Sequence, residues 1–215
     1  AGRVTVNGLT ASVGDKADPE RDVVEVDGVA LSRPATHTYI MLHKPDGVVS
    51  STEDPRDETV LTLLPKELRR IGLFPVGRLD KDTEGLLLLT NDGQLAHRLL
   101  APGKHVDKVY YTEVDGVLDT SDCEAFRQGI TLADGTECLP AGLELLEEPN
   151  QALVTLREGK YHQVRRMMAS RGMPVTYLKR MQEGKLELGD LPLGQVRELT
   201  AEEVNELLES VNLTI

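Results

Sequence analysis

A short charged segment between two apolar stretches is the part of the sequence best suited to chemistry. Residues 77–84 contain Asp80 together with Arg78, and apolar residues dominate the flanking positions 73–76 and 85–90. Loops at the edge of a buried sheet are where functional groups concentrate. A carboxylate that a nearby arginine keeps ionised is suited to nucleophilic chemistry. The alternative is a loop whose charges are only hydrated and paired with one another.

In two further pairs of adjacent residues, the two side chains point in different directions and can meet different surroundings. Tyr110 and Tyr111 lie in a predicted strand, so one points inward and the other outward. Arg165 and Arg166 lie in a predicted helix that begins near Gly159, where successive side chains are about 100° apart. One arginine can therefore reach a cleft while the other meets phosphate. For the tyrosines, ordinary core and surface positions are the alternative.

Basic residues are clustered although the chain as a whole is acidic. The net charge is −12, yet the segment from Arg157 to Lys185 holds eight basic residues and two acidic ones. A basic face on an acidic body is typical of a protein that holds a phosphate backbone locally. A hydrated basic helix without a partner is the alternative.

Several classes of protein find no support in the sequence. Cys123 and Cys138 stand outside any CxxC pattern, and the five histidines form no HxxxH or HxH pair, so no metal site is predicted. No apolar run approaches the roughly 20 residues that span a bilayer. Without a signal-peptide pattern, a cytoplasmic protein is expected.

The elements that must position these residues mix strands and helices without a regular βαβ spacing. This order predicts an α+β fold with a central mixed, mainly antiparallel sheet and peripheral helices. Thr59 and Thr200 are the predicted N-caps of two of the helices. The predicted strands include residues 39–42, 85–90, 106–114, 152–156 and 175–178, and the predicted helices are 59–64, 94–100, 121–128, 161–171 and 201–209.

Four segments together resemble one known family, the pseudouridine synthases of the small-subunit ribosomal RNA type (RsuA-like). Residues 77–93 match the family's central motif over seventeen consecutive positions, and the family's catalytic aspartate falls on Asp80. Residues 41–47 resemble its opening strand and K-P-x-G turn. Residues 108–110 resemble its K-x-Y element, and residues 158–167 its E-G-x-x-x-Q-V-[KR]-R-M element.

The resemblance implies a role for each residue. Asp80 is the nucleophile or the stabiliser of a glycosyl cation, and Tyr110 stacks against the flipped uracil and assists removal of the C5 proton. Arg165 pairs with Asp80 and keeps it ionised. The candidate RNA-binding residues, as contacts to phosphate, are Arg78, Lys81, Lys160, Arg166, Arg171, Lys179 and Arg180.

The implied reaction isomerises a uridine of ribosomal RNA that is flipped out or unpaired, without a cofactor or metal. Residues 161–164 favour 16S small-subunit RNA, free or in an assembly intermediate, as the partner of a monomeric enzyme. Three alternatives stay open. They are the same reaction on large-subunit RNA, a non-catalytic ribosomal RNA-binding or assembly factor, and a hydrolase that uses Asp80 with Asp82 or Glu84.

The N-terminal segment carries a separate expectation. Residues 1–31 show two short strands with Asn-Gly and Asp-Gly turns, which are too little to bury a core. Family members commonly open with a small S4-like RNA-binding domain, and this segment resembles its strand-bearing half. We therefore expect a partial, truncated S4-like domain at residues 1–33 whose helices precede Ala1. A linker at residues 32–36 leads to a pseudouridine synthase catalytic domain at residues 37–215.

Overall fold

A computed structural model describes residues 2–18, 22–30, 37–101 and 106–213. The chain divides into two compact units, Ala1–His37 and Thr38–Ile215. The predicted linker at residues 32–36 lies outside the described residues. Within the described ranges, no helix combines the length and the apolar character needed to cross a membrane.

The first unit is a small antiparallel sheet. Its strands are β1 (Val4–Val6), β2 (Leu9–Thr10), β3 (Val24–Val26) and β4 (Val29–Ala30), in the order β2-β1-β3-β4. Asn7-Gly8 and Asp27-Gly28 make the two hairpin turns with positive φ at all four positions, as the sequence predicted. Among the described residues of this unit none is fully buried. Four short strands of this kind form a surface without a core of their own.

The second unit contains the remaining strands and helices, which follow one another along the chain without a regular repeat. A 3₁₀ turn at Val60–Leu63 precedes α1. The elements are β5 (Tyr39–Lys44), α1 (Lys66–Arg69), β6 (Phe74–Pro75), β7 (Glu84–Thr90), α2 (Gly93–Leu100), β8 (Lys108–Val114), α3 (Thr120–Gln128), β9 (Gly142–Leu145), β10 (Gln151–Leu156), α4 (Gln163–Ser170), β11 (Val175–Glu183), β12 (Leu186–Glu187), β13 (Val196–Glu198) and α5 (Ala201–Ser210).

One sheet dominates this unit. Its strand order over the described residues is β13-β5-β7-β11-β8-β10-β9, with β6 paired to β7 and β12 paired to β11. Only β7 and β11 run parallel in that part of the chain, and the other neighbouring strands are antiparallel. The prediction of an α+β fold with a mixed, mainly antiparallel sheet is confirmed.

The parallel contact between β7 and β11 depends on a glycine. Gly85 lies opposite Arg180 and has a φ of +112°, which L side chains rarely adopt. A Cβ atom at Gly85 would lie 2.2 Å from the backbone oxygen of Arg180. Only a residue without a side chain therefore lets the two central strands meet.

The four leucines of β7 explain why this strand is apolar along its whole length. Leu87 and Leu89 pack into a cluster on one face with Ile40 of β5, whereas Leu86 and Leu88 pack into another on the opposite face. Alternate side chains of a strand point to opposite faces, so a strand covered on both sides must be apolar at every position. β7 is thus the buried centre from which the preceding polar loop emerges.

The helix predictions hold in part. The predicted helix at residues 59–64 is the 3₁₀ turn, and the side chain of Thr59 makes no capping hydrogen bond. The helix expected from residue 161 begins only at Gln163, because His162 adopts the left-handed conformation with φ 47°. Thr200 caps α5 as predicted, accepting a hydrogen bond from the backbone of Glu203.

Candidate active site

The polar loop before β7 borders an open cleft of about 910 Å³. Residues 78–83, called here the Asp80 loop, form one side, and residues 159–162, which precede α4 and are called here the aromatic rim, form another. Tyr110 of β8 also lines the cleft. The structure therefore brings Asp80 and Tyr110, which are 30 residues apart in the chain, to one cavity.

Buried polar contacts hold the backbone of the Asp80 loop. The hydroxyl of Ser50 donates to the carbonyl oxygen of Leu79 at 2.9 Å and accepts from the amide of Leu79 at 3.1 Å. The fully buried ammonium of Lys44 donates to the carbonyl oxygens of Lys81 at 3.1 Å and Thr83 at 2.9 Å. The backbone on both sides of Asp80 is thus fixed from beneath, which fixes the carboxylate.

Lys44 is an unusual cation because water cannot reach it. Burial lowers the pKa of Lys44 to about 8, although the carboxylates of Asp46, Asp82 and Asp80 favour its charged form. Its donors are used on carbonyl oxygens of the loop and of Pro45. Sequence reasoning included Lys44 in a matching motif but gave it no role.

The carboxylate of Asp80 is about one-third exposed and faces the aromatic rim. Nε2 of His162 lies 3.5 Å from Oδ1 of Asp80. The ring of His162 stacks on that of Tyr161, with centroids 3.8 Å apart and planes at 18°. Sequence reasoning predicted neither this neighbour of Asp80 nor the left-handed backbone of His162 that precedes α4. Residue type gives only a weak signal for it, because a positive φ is uncommon for residues other than glycine even though histidine adopts it more often than most.

Tyr110 is the inward-facing member of its pair. It packs against two of the hydrophobic clusters and reaches the cleft. Burial raises the pKa of its phenol, and the positive charge of Arg180 offsets part of the rise. Tyr111 points to the other face, where its hydroxyl donates to Glu113 at 2.6 Å and its ring meets the edge of Tyr177. The predicted division between the two tyrosines is confirmed.

Arg165 does not pair with Asp80 as expected. Its Nη2 donates to the backbone oxygen of Asp82 at 2.8 Å and lies 3.1 Å from the Asp82 carboxylate. The loop turns back at Asp80, where the amide of Thr83 donates to the Asp80 carbonyl oxygen, and this turn brings Asp82 to α4. In this structure Arg165 thus ties the Asp80 loop to α4 through Asp82.

Three of the predicted phosphate contacts line the cleft. Arg78 is exposed there, while Lys81 forms an ion pair with Asp57 at 2.6 Å. Lys160 pairs with Glu158 at 2.8 Å. The cations at the mouth of the cleft are thus partly neutralised by carboxylates, which a phosphate backbone would have to replace.

The other four predicted contacts lie away from the cleft lining. Arg166 pairs with Asp134, and Arg171 pairs with Asp122 at 2.8 Å. Lys179 lies across from Tyr111 on the face of the sheet opposite to Tyr110.

The prediction that Arg180 binds RNA at the surface is wrong. Its side chain is 2% exposed, because strand alternation places Arg180 on the buried face of β11 with Leu178. Its Nε donates to the backbone oxygen of Leu86 at 2.8 Å, and its Nη2 lies 3.3 Å from Glu183. A buried arginine cannot be recognised from local charge, which treats every basic residue of a segment alike.

The arrangement has a clear chemical capacity. A carboxylate on a rigid loop and a phenol lie in one cleft wide enough for a nucleobase. The two stacked rings of the rim and the exposed guanidinium of Arg78 also line it. Aromatic rings and cations are the groups that hold splayed bases and their phosphates.

Comparison with known proteins agrees with this arrangement. The sequence pattern of the RNA pseudouridylate synthase family matches residues 38–170. A Bacillus subtilis (strain 168) protein described as an uncharacterised RNA pseudouridine synthase is 44% identical over 214 residues, covering 97% of this chain and 89% of its own. The ribosomal small subunit pseudouridine synthase A of Vibrio cholerae is 42% identical, covering 95% of this chain and 88% of its own.

A solved structure shows the same fold. A pseudouridylate synthase crystal structure superposes with a TM-score of 0.75 at 34% identity and covers 96% of this chain and 89% of its own. The family match spans more than half of the chain, and relatives above 30% identity cover nearly all of it. The chain therefore belongs to the RNA pseudouridylate synthase family and is an isomerase.

Proposed function

We propose that this enzyme converts a uridine of small-subunit ribosomal RNA to pseudouridine, with Asp80 as the catalytic carboxylate. The observation that carries the proposal is the position of Asp80, which lies on a buttressed loop in the same cleft as Tyr110. A rigid carboxylate beside an aromatic side chain can face the C1′ atom of a nucleotide whose base is stacked in the cleft.

The reaction needs only the side chains of this cleft. The N1–C1′ bond of the uridine breaks, and the carboxylate of Asp80 bonds to or stabilises the electron-poor C1′ atom. The released uracil turns against Tyr110 until C5 faces C1′, and the C5–C1′ bond forms while any bond between C1′ and the Asp80 carboxylate breaks, which regenerates the free carboxylate. The proton on C5 is then lost and N1 takes up a proton, so the product is an isomer of the substrate.

The choice of small-subunit RNA draws on the relatives. The proteins of Vibrio cholerae and Yersinia pestis that bear the name ribosomal small subunit pseudouridine synthase A are 42% and 40% identical to this chain. Their matches cover 95% of the chain, including the cleft. Arg78, Lys81 and Lys160 at the cleft are the cations suited to the flanking phosphates.

The test is release of tritium from C5 of labelled uridines. Wild-type enzyme, Asp80→Asn and Asp46→Asn would each be incubated with small-subunit RNA, its assembly particles and large-subunit RNA. Asp46 is an exposed carboxylate at the same cleft and serves as the matched control. We expect release with wild type and Asp46→Asn on a small-subunit substrate. Asp80→Asn should lose at least about 10³-fold in rate, since nothing replaces the carboxylate at C1′.

Other outcomes would separate the alternatives. Release confined to large-subunit RNA would keep the chemistry and reject the substrate. Release of free uracil, detected by chromatography, would indicate hydrolysis with a second carboxylate. Tight binding without tritium release from any substrate would reject catalysis on ribosomal RNA, and equal rates for wild type and Asp80→Asn would reject the role of Asp80.

We also propose that the first unit is part of an S4-like RNA-binding domain. Its support is the resemblance of its sequence and its four-stranded sheet with exposed Arg3 and Lys16. A variant with both residues changed to alanine should bind the RNA substrate several-fold more weakly, at unchanged turnover under saturating RNA. Equal dissociation constants for the variant and wild type would remove the proposal.

A further inference from the structure

Arg180 is a buried charge that the proposed reaction does not use. Burying a guanidinium is unfavourable unless it is paired and hydrogen-bonded. Its Nε is satisfied by Leu86, but Nη2 has no acceptor in hydrogen-bond geometry among the described residues, although the Glu183 carboxylate is 3.3 Å away. A buried donor without an acceptor, close to a reaction centre, calls for an explanation.

The sheet places this charge beside Tyr110. In the antiparallel pairing of β8 with β11, Arg180 is the direct partner of Tyr110, and directly opposed residues project to the same face. On the far side, the backbone of Arg180 meets Gly85 across the close parallel contact, and its side-chain Nε donates to the carbonyl oxygen of Leu86 on the same strand. The guanidinium is thus confined between the strand that follows the Asp80 loop and the strand that carries the phenol.

The charges around the phenol of Tyr110 are few. Arg180 and Glu183 belong to β11, and Asp80 faces the phenol from its loop. Lys108 of β8 shares the surroundings of Glu183 and Arg180, and burial lowers its pKa. Arg180 is the group among them whose charge acts most strongly on Tyr110, after burial itself.

We propose that Arg180 is a positioning residue that orients the hydroxyl of Tyr110 toward the cleft. With Nε fixed on Leu86 and the Glu183 carboxylate attracting one edge of the guanidinium only by its charge, the phenol oxygen of Tyr110 on the same face of the sheet is the acceptor available to the remaining donors. A phenol oxygen that accepts a hydrogen bond from Arg180 directs its own proton elsewhere, and the open direction is the cleft. This inference rests on the proposed function, for which it names the group that aims Tyr110 at the turning uracil.

The direct readout is the state of the phenol in the enzyme without RNA. Protein labelled with ¹³C at Cζ of tyrosine has five signals, and Tyr110→Phe identifies the one from Tyr110. Arg180→Met should shift that signal because the charged donor is lost, and Arg180→Lys should shift it less. The control is Lys185→Met, which removes an exposed cation just beyond β11 that pairs with Glu206 and leaves Tyr110 untouched.

The kinetic readout separates positioning from binding. For Arg180→Met we expect kcat to fall by about 10²-fold with KM within about 3-fold of wild type, because the change misplaces a reacting-site group without removing an RNA contact. Arg180→Lys should recover roughly 10-fold of that loss, since a charge and a donor are retained. Tyr110→Phe combined with Arg180→Met should be no slower than Tyr110→Phe alone.

The outcomes decide the proposal in each case. If Arg180→Met does not fold, Arg180→Lys takes its place in both measurements. An unchanged Tyr110 signal together with wild-type kcat in the folded variant would overturn the proposal. A loss carried by KM alone would assign Arg180 to RNA binding and overturn it as well. An inactive wild type contradicts the proposed function instead, and the Cζ signal still tests the contact between Arg180 and Tyr110.

Discussion

The two sides of the cleft are built on opposite principles. The Asp80 loop is held by buried groups, namely the hydroxyl of Ser50 and the ammonium of Lys44, which bond its backbone. The aromatic rim consists of partly exposed side chains, and Tyr161 is 73% exposed. Lys160 in the rim is held by an ion pair with Glu158 that water can reach. One side has fixed geometry, and the other can adapt.

This difference suggests a division of labour. A reacting carboxylate must be placed to a fraction of an ångström, which buried hydrogen bonds achieve. Binding of a bulky, flexible RNA tolerates small movements of the contacting side chains. Exposed rings and cations contribute to this binding with little sequence specificity. Changes beneath the Asp80 loop should therefore reduce turnover or folding, whereas changes in the rim should reduce affinity.

The largest effect is expected where the fold itself supports the Asp80 loop. Gly85→Ala places a Cβ atom against the backbone of Arg180 and keeps a positive φ. We expect the free energy of unfolding to fall by about 3 kcal/mol or more. Gly159→Ala in the rim is the matched control, because a Cβ there meets open space, and its effect should stay within roughly 0.5 kcal/mol. The measurement is urea unfolding of both variants. Equal losses in the free energy of unfolding would contradict the comparison.

A second change keeps the fold but loosens the loop. Lys44→Met leaves the carbonyl oxygens of Lys81 and Thr83 without their buried donor. A displacement of Asp80 by about 1 Å is enough to lower kcat by roughly 10²-fold. The dissociation constant for RNA should stay near that of wild type, because Lys44 is fully buried. Single-turnover kinetics and filter binding would measure the two quantities, and a loss of affinity alone would be the contrary result.

The same lysine gives a pH dependence with a definite sign. In the folded protein its pKa is about 8, whereas the unfolded chain holds the proton up to its ordinary value of 10.5. Between these values the unfolded state binds more protons, so stability rises with pH. The free energy of unfolding of wild type minus that of Lys44→Met should therefore increase from pH 7.5 to about 10. A flat or falling difference would show that Lys44 is not desolvated.

In the rim we expect a smaller effect on binding. Tyr161→Ala removes an exposed ring stacked on His162 and should weaken RNA binding by about 10-fold, the usual range for one base–aromatic stack. Turnover at saturating RNA should be little changed. Tyr161→Phe keeps the ring and should bind as wild type does. A lower kcat with unchanged affinity in Tyr161→Ala would place the rim in catalysis.

The smallest effect belongs to a single phosphate contact. Arg78→Ala should reduce the slope of log K against log salt by about 1 and weaken binding equally for all RNA sequences. Arg127→Ala on α3 is the control, since it removes an exposed cation that pairs with Glu124. RNA-binding titrations at several salt concentrations would measure the slope for both variants. An unchanged slope for Arg78→Ala would show that Arg78 does not contact a phosphate.

The sequence was most informative where it contains a long continuous motif or a clear alternation of inward and outward side chains along a strand. The apolar run of β7 and the opposed faces of Tyr110 and Tyr111 predicted strands of the sheet, and the resemblance to the family predicted that Asp80 and Tyr110 share a site. The partner of Arg165 could not be predicted, because Asp80 and Asp82 stand two residues apart and only the turn of the loop selects between them.

Other features depend on contacts distant in sequence. The burial of Arg180 follows from the pairing of β11 with two strands, and a count of charges contains no such information. β13 is another example, because Val196–Glu198 has three residues of which two are charged, and it becomes a strand only by pairing with β5. The left-handed backbone of His162 has only a weak local signal, because histidine adopts a positive φ more often than most residues but still rarely.

The strand order also has a consequence for the order in which the sheet can form as the chain is synthesised. β11 lies between β7, which follows the Asp80 loop, and β8, which carries Tyr110, so these two strands are joined into one sheet only after the chain has been made as far as Glu183. The hydrogen bond between Arg180 and Leu86 closes a segment of 94 residues, a contact whose loop-closure entropy delays it in folding. A chain that ends before β11 can hold both motifs and still lack the strand that joins them into one sheet.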